Sequence, residues 1–200
     1  MKLYYKPGAC SLAPHIVARE AGIELVLEKV DTQASRTETG ADFRAINPKG
    51  YVPALQLDSG EVLTESSVVC QYLADRVPAA KLMAPAGSME RYRQIEWLNY
   101  IGSELHKGLG VLFNPKLEDA AKQVFRAAIG PRLDFLTRAL EGKDYLAGGF
   151  SAPDAYAFTV LSWSRHLKYD LSAWPSIAAY LRRVGERPAV KAARHAEGLH

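Results

Sequence analysis

MKLYYKPGACSLAP, residues 1–14, decides how the rest of the chain is read. Residues 2–5 read as a short strand, and the breaker pair Pro7-Gly8 stops it. Ser11 is a good helix N-cap, and Pro14 is tolerated in a first helical turn. Ile16, Val17 and Ala21 continue at helical spacing until Gly22 ends the run. Cys10 is therefore expected where a strand hands over to a helix. Unpaired N–H groups and the helix dipole stabilise an anion there, so the placement predicts a lowered thiol pKa. An inert thiol packed in the core is the rival reading. A dithiol centre of the thioredoxin type would need a second cysteine at position 13, where this chain has Ala13. A redox role for Cys10 would then draw its resolving thiol from outside the chain, free glutathione being the obvious supplier.

Outward from this stretch, residues 1–77 alternate short strands and helices. Residues 25–30 form a second strand, joined to the first across a helix in a βαβ unit that implies parallel pairing. Residues 37–46 predict a short helix with Phe43 and Ile46 inward. Residues 54–57 and 62–64 flank the turn Asp58-Ser59-Gly60 and predict a hairpin, and residues 66–77 predict a third helix. The order βαβ-α-ββα is a thioredoxin-like layout. In that layout Pro53, just before the third strand, would face the helix-1 cysteine through a cis bond. This rests on fold analogy.

Residues 78–87 (PAAKLMAPAG) read as a linker, and everything after them reads as helix. Ser88 caps a long helix with Ile95, Leu98, Ile101, Leu105, Leu109 and Leu112 at spacings of three and four. A helix over 117–141 is expected to be disturbed at Gly130-Pro131. Ser151-Ala152-Pro153-Asp154 predicts a capping box opening a helix through Leu167. Two further helices are expected over 176–186 and 189–196. Tyr156, Trp163 and Trp174 are assigned to the core, and Cys70 is expected to be buried and inert. The fold class is α+β, with a thioredoxin-like domain over 1–77, the linker over 78–87 and an all-helical domain over 88–200. The terminal His200 is expected to be an expression remnant.

Composition removes several function classes. A net charge of +3, with no run of four basic residues, argues against nucleic acid. No run approaches eighteen apolar residues, so no membrane association is expected. Two cysteines without a framework, and a start that runs straight into a strand, point to the cytoplasm. The five histidines lack ligand-like spacing, so no metal is expected. Asn99, Ser103 and His106 fall on one stripe of the long helix, which is either an exposed face or a site. Glu65-Ser66 reads by itself as a plain cap of the third helix.

The chain resembles the cytosolic glutathione transferases, and their bacterial beta class in particular. The resemblance is carried by KLYY-x-PGACSL-x-PHI around Cys10, NPKGYVPAL around Pro53, LTES at 63–66, WLNYIGSELHKG at 97–108 and SAPDAY at 151–156. It spans essentially the whole chain. It implies glutathione as co-substrate, a hydrophobic electrophile as second substrate, detoxification as the role, and a homodimer. Cys10 and His106 become the implied catalytic residues. Val52, Pro53, Glu65, Ser66, Asn99, Ser103, Glu104, Leu105 and Lys107 become the implied glutathione-binding set. The sequence leaves open whether His106 accepts a proton as a neutral imidazole or stabilises a thiolate as a cation. The family often carries lysine at position 35, against the glycine carboxylate. Here Ser35 is followed by Arg36, which substitutes only if the loop shifts. The expected activity is conjugation of glutathione thiolate to electrophiles, with thiol transfer through a Cys10 mixed disulfide. The alternative is a non-enzymatic ligand-binding or regulatory protein on the same fold.

Overall fold

The computed structural model describes residues 1–199, and His200 lies outside them. A five-stranded mixed sheet has the order β3-β2-β1-β4-β5: β1 Lys2–Tyr5, β2 Val26–Asp31, β3 Arg36–Thr37, β4 Ala54–Gln56 and β5 Val62–Thr64. The β1–β2 pair is parallel, as the βαβ reading requires, with Leu3 opposite Leu27. β4 and β5 form the antiparallel hairpin. Period-two alternation splits β1 between two cores: Leu3 and Tyr5 face the main one, while Tyr4 joins Val30, Phe43, Val52 and Ala54.

Helix α1 (Leu12–Glu20) lies between the sheet and the later helices, and its residues 12–18 are all buried. α3 (Ser66–Arg76) packs beside it. Ser88 opens α4 (Met89–Tyr100) by accepting the Arg91 amide, and Arg91 clamps Asp75 of α3 through two contacts of 2.6 and 2.8 Å. α6 (Asp119–Ala139) carries Pro131 inside one continuous helix, so the expected disturbance does not divide it. α7 (Ala152–Leu161) is buried on every side and starts at the Ser151–Asp154 capping box. α8 (Trp163–His166), α9 (Pro175–Gly185) and α10 (Pro188–Ala196) complete the helical part. No helix among the described residues is long and apolar enough to cross a membrane.

Three local expectations are corrected. Residues 37–46 do not form one helix. Thr37 pairs with Val30 in β3, a turn at Gly40 follows, and only α2 (Phe43–Ile46) is helical, capped by Asp42. The long helix after Ser88 is not uniform, because Ile101–His106 widens into a π-helical segment before α5 (Lys107–Gly110). Ser11 does not cap α1. Its backbone is already helical, and its buried hydroxyl accepts from Lys6 N–H (3.1 Å) and donates to Lys6 C=O (3.2 Å). The hydroxyl therefore closes the turn on which Cys10 sits.

Candidate active site

The turn from Lys6 to Ser11 is held from both ends of the chain. Gly8 has φ +69°, a region costly for residues with a Cβ. Its N–H donates to Glu197 Oε2 (2.9 Å), and its carbonyl accepts from Trp163 Nε1 (2.8 Å). Glu197 is buried against His15, with Oε1 3.0 Å from Nδ1. Cys10 is thereby fixed with Sγ 3.1 Å from the Val52 carbonyl, and the Val52–Pro53 peptide is cis.

The thiol is not acidified, contrary to the helix-end expectation. Burial pushes the Cys10 pKa up to about 11, against a smaller opposing pull from Ser66 and nearby amides. Leu12 N–H is spent on Ala9 C=O (2.9 Å) and Ala13 N–H on Cys10 C=O (3.2 Å), so among the amides only those of Cys10 and Ser11 favour an anion, and burial outweighs them. Cys10 is a neutral thiol that donates to Val52. Cys70 is fully buried, with its pKa also raised by burial, as the packing reading of that residue expects.

Across the cavity, β5 delivers Glu65 at φ +69°, ψ 120°. A non-glycine residue held there costs about 1–3 kcal/mol and signals a functional constraint. Ser66 follows in the first turn of α3 and donates to the Cys10 carbonyl (3.4 Å). Lys49 Nζ lies 2.6 Å from Glu65 Oε1 and 2.9 Å from Thr64 Oγ1, so an ammonium already rests on this carboxylate. Cys10, Val52, Pro53, Glu65, Ser66, Asn99, Ser103, His106 and Lys107 line one cavity of about 410 Å³. The π-helical widening lies over this wall, a frequent location for such distortions.

Glu104 and Leu105 do not join them. Successive helical residues point about 100° apart. Leu105 therefore falls in the core at 0% exposure, and Glu104 accepts from Arg132 Nε (2.7 Å). Ser35 and Arg36 are absent from the cavity lining, and Arg36 donates to the Gly40 carbonyl (3.1 Å) instead.

His106 Nδ1 lies 2.6 Å from the Tyr156 hydroxyl, and its ring meets Trp163 edge-on at 4.9 Å. Burial, aided by Lys107, lowers its pKa to about 4, while burial raises that of Tyr156. Both groups are neutral at pH 7, which favours the neutral-imidazole reading. Because the folded pKa lies below the unfolded value near 6.5, folding stability from this group is complete above pH 6.5 and is lost towards pH 4. At about 1.36 kcal/mol per pKa unit the loss is about 3 kcal/mol. The expected observation is a His106 imidazole NMR signal that does not move between pH 8 and 6. A midpoint near 6.5 would contradict the buried geometry.

Tyr156 also lines the cavity, although the sequence places it in the core. Both descriptions hold: the residue is 3% exposed and its hydroxyl reaches His106. Tyr51 and Lys49 were likewise not anticipated at the site. A buried tyrosine hydroxyl needs a partner, and that was the available sequence signal for Tyr156.

With this geometry in place, comparison with known proteins is direct. Residues 8–76 match the family model of the glutathione S-transferase N-terminal domain, and residues 100–188 match that of the C-terminal domain. The chain is 49% identical to glutathione S-transferase GstA of Escherichia coli O157:H7 over all of both chains. It superposes on BphK, a bacterial glutathione S-transferase solved as a ternary complex, with a TM-score of 0.98 and 50% identity over all of both chains. A beta-class glutathione S-transferase of Sphingomonas chungbukensis gives a TM-score of 0.97 and 47% identity, again over all of both chains.

Proposed function

The chain belongs to the glutathione S-transferase family, in its bacterial beta class, and within that chemistry we propose roles for the residues around Cys10. The protein conjugates glutathione, its co-substrate, to electrophiles. A solved sphingomonad glutathione S-transferase at 45% identity carries bound glutathione. Glutathione lies with its cysteinyl backbone on Val52, beside Pro53, and its γ-glutamyl end on Glu65 and Ser66. One observation carries this reading: a single cavity is lined by the Cys10–Val52 contact together with Glu65 and Ser66. The α-ammonium of glutathione takes the place that Lys49 Nζ holds on Glu65. Asn99, Ser103 and Lys107 form the polar rim.

In conjugation, the glutathione thiol loses its proton to solvent and the thiolate attacks an electrophilic carbon, from which the leaving group departs with its bonding electrons. The neutral Cys10 S–H donates a hydrogen bond to that thiolate in place of Val52. His106, held by Tyr156 and Trp163, orients the reacting sulfur. The electrophile is a hydrophobic molecule lying against the His106–Trp163–Phe113 aromatic edge.

Thiol transfer uses the same sulfur. Cys10 gives up its proton, its thiolate attacks a disulfide RS–SG, and the new Cys10–SG bond releases RS⁻, which takes up a proton. A second glutathione thiolate then forms oxidised glutathione and restores Cys10. The test is intact mass after incubation with oxidised glutathione. One glutathione adduct is expected, absent from Cys10→Ser and present in Cys70→Ser. Its rate should rise about tenfold per pH unit between pH 7 and 10, because the thiolate fraction does so below a pKa of about 11. An adduct on Cys70, or a rate already level at pH 7, would refute this reading.

Exposed apolar residues on α3 and α4, among them Val68, Met89 and Tyr92, support assembly as a two-fold homodimer. Met89 and Tyr92 lie on the same α4 stripe that continues to Asn99 and Ser103 at the rim. Two free cysteines and bacterial relatives support a cytoplasmic location, and the family chemistry supports a detoxifying role.

A further inference from the structure

The two ring nitrogens of His106 stand in different surroundings. Nδ1 lies 2.6 Å from the Tyr156 hydroxyl. Nε2 has no hydrogen-bond partner among the described residues, and no buried side-chain nitrogen or oxygen among them lacks one. Nε2 is therefore the nitrogen open to the cavity that His106, Tyr156 and Cys10 line together. The ring is held in this orientation. Trp163 meets it edge-on at 4.9 Å and the Tyr156 ring edge-on at 5.8 Å. Trp163 spends its own N–H on the Gly8 carbonyl, so it competes for neither nitrogen.

Both partners are neutral at pH 7, so the short contact holds one hydrogen. Two arrangements satisfy it. Either Tyr156 O–H donates to Nδ1 and the imidazole hydrogen sits on Nε2, or Nδ1–H donates to the tyrosine oxygen and Nε2 is bare. Acid–base chemistry favours the first. An imidazole nitrogen is a far better acceptor than a phenol oxygen, and a phenol O–H is the better donor. The fold aims the hydroxyl for that purpose. Tyr156 sits on α7, whose residues are all buried, and its oxygen passes close to Gly102, where a Cβ would lie 3.6 Å away.

We propose that Tyr156 is a positioning residue: by donating to Nδ1 it fixes His106 in the Nε2–H tautomer, so that His106 faces the glutathione sulfur as a neutral hydrogen-bond donor and not as a base. This rests on the placing of glutathione given above. The thiolate then meets two neutral donors, Cys10 S–H and His106 Nε2–H, and the thiol proton leaves to solvent.

The test starts from the whole protein with isotope-labelled histidine nitrogens, read by NMR at pH 7 without glutathione. His106 should show a protonated Nε2 and an unprotonated Nδ1. Tyr156→Phe keeps the aromatic ring and should give a mixture of the two tautomers. Its kcat for an aryl halide should fall about tenfold, as misplacing one hydrogen bond to an anionic sulfur implies, with the glutathione KM within about twofold. His106→Ala should lose about tenfold or more in kcat, and Tyr156→Phe should cost nothing further in that background. His106→Gln, which offers an amide N–H but no base, should recover most of the loss. Glutathione binding to the parent protein is measured separately by calorimetry. Its absence would refute the placing of glutathione, while the ring signature, read without glutathione, would still judge the tautomer. A protonated Nδ1 in the parent, an unchanged ring signature in Tyr156→Phe, or equal losses for His106→Gln and His106→Ala would overturn the proposal.

Discussion

Cys10→Ser is expected to lower glutathione-dependent reduction of a small disulfide, such as 2-hydroxyethyl disulfide, about a hundredfold or more. Conjugation of an aryl halide should fall by less than about tenfold. The two activities separate because they use the residue differently. Thiol transfer needs a sulfur that forms and breaks a covalent bond, and removing a covalent nucleophile forfeits orders of magnitude. Conjugation needs only a donor aimed at the glutathione sulfur. A serine hydroxyl in the same turn can supply it, since the frame of Ser11, Glu197 and Trp163 around the turn does not depend on sulfur. Both rates are read from kcat/KM at pH 7. Disulfide reduction surviving intact in the variant would remove Cys10 from the reaction, and an equal collapse of both activities would mean that conjugation also needs the sulfur itself.

The second large effect is on stability. Asp154→Ala should cost the fold about 3–5 kcal/mol, seen in urea unfolding as a lowered midpoint with an unchanged slope. Asp154 is fully buried and accepts from Ser151 N–H (3.0 Å), the Ser151 hydroxyl (2.9 Å), Leu146 N–H (2.9 Å) and the Tyr180 hydroxyl (3.0 Å). Alanine leaves buried donors without an acceptor and removes the cap from a helix that has no solvated face. Asp154→Asn should recover part of the loss, because its carbonyl keeps one oxygen acceptor. A cost below about 1 kcal/mol for alanine would show that packing alone holds the start of α7.

The features legible in the sequence were those written in neighbouring residues. Pro7-Gly8 ends β1, Ser88 caps α4, and Ser151 with Asp154 forms the capping box; each signal acts over a few positions. The common stripe of Asn99, Ser103 and His106 was also legible, because the helical period persists approximately through the π-helical segment. Features decided by distant residues were not legible. Helix-end electrostatics predicts an acidic Cys10, but burial under Val52 and the helical part reverses the sign. Ser11 has the residue type of a cap, yet Lys6 claims its hydroxyl. The residues 37–46 hold no local clue that Val30 will recruit Thr37 into a strand. The ammonium of Lys49 reaches Glu65 across sixteen positions, and Tyr156 reaches His106 across fifty.

The contact between Gly8 and Glu197 spans 189 positions and bears on how the protein is made. Synthesis proceeds from the N-terminus, so β1 and α1 leave the ribosome long before residue 197 is translated. Until then the Gly8 amide has no carboxylate, His15 has no buried partner, and the indole that holds the Gly8 carbonyl arrives only with residue 163. A nascent chain can assemble its sheet early, but it cannot yet set the cysteine turn. The reactive sulfur takes its final position only when nearly the whole chain has been translated, which keeps a half-made protein from presenting a finished site.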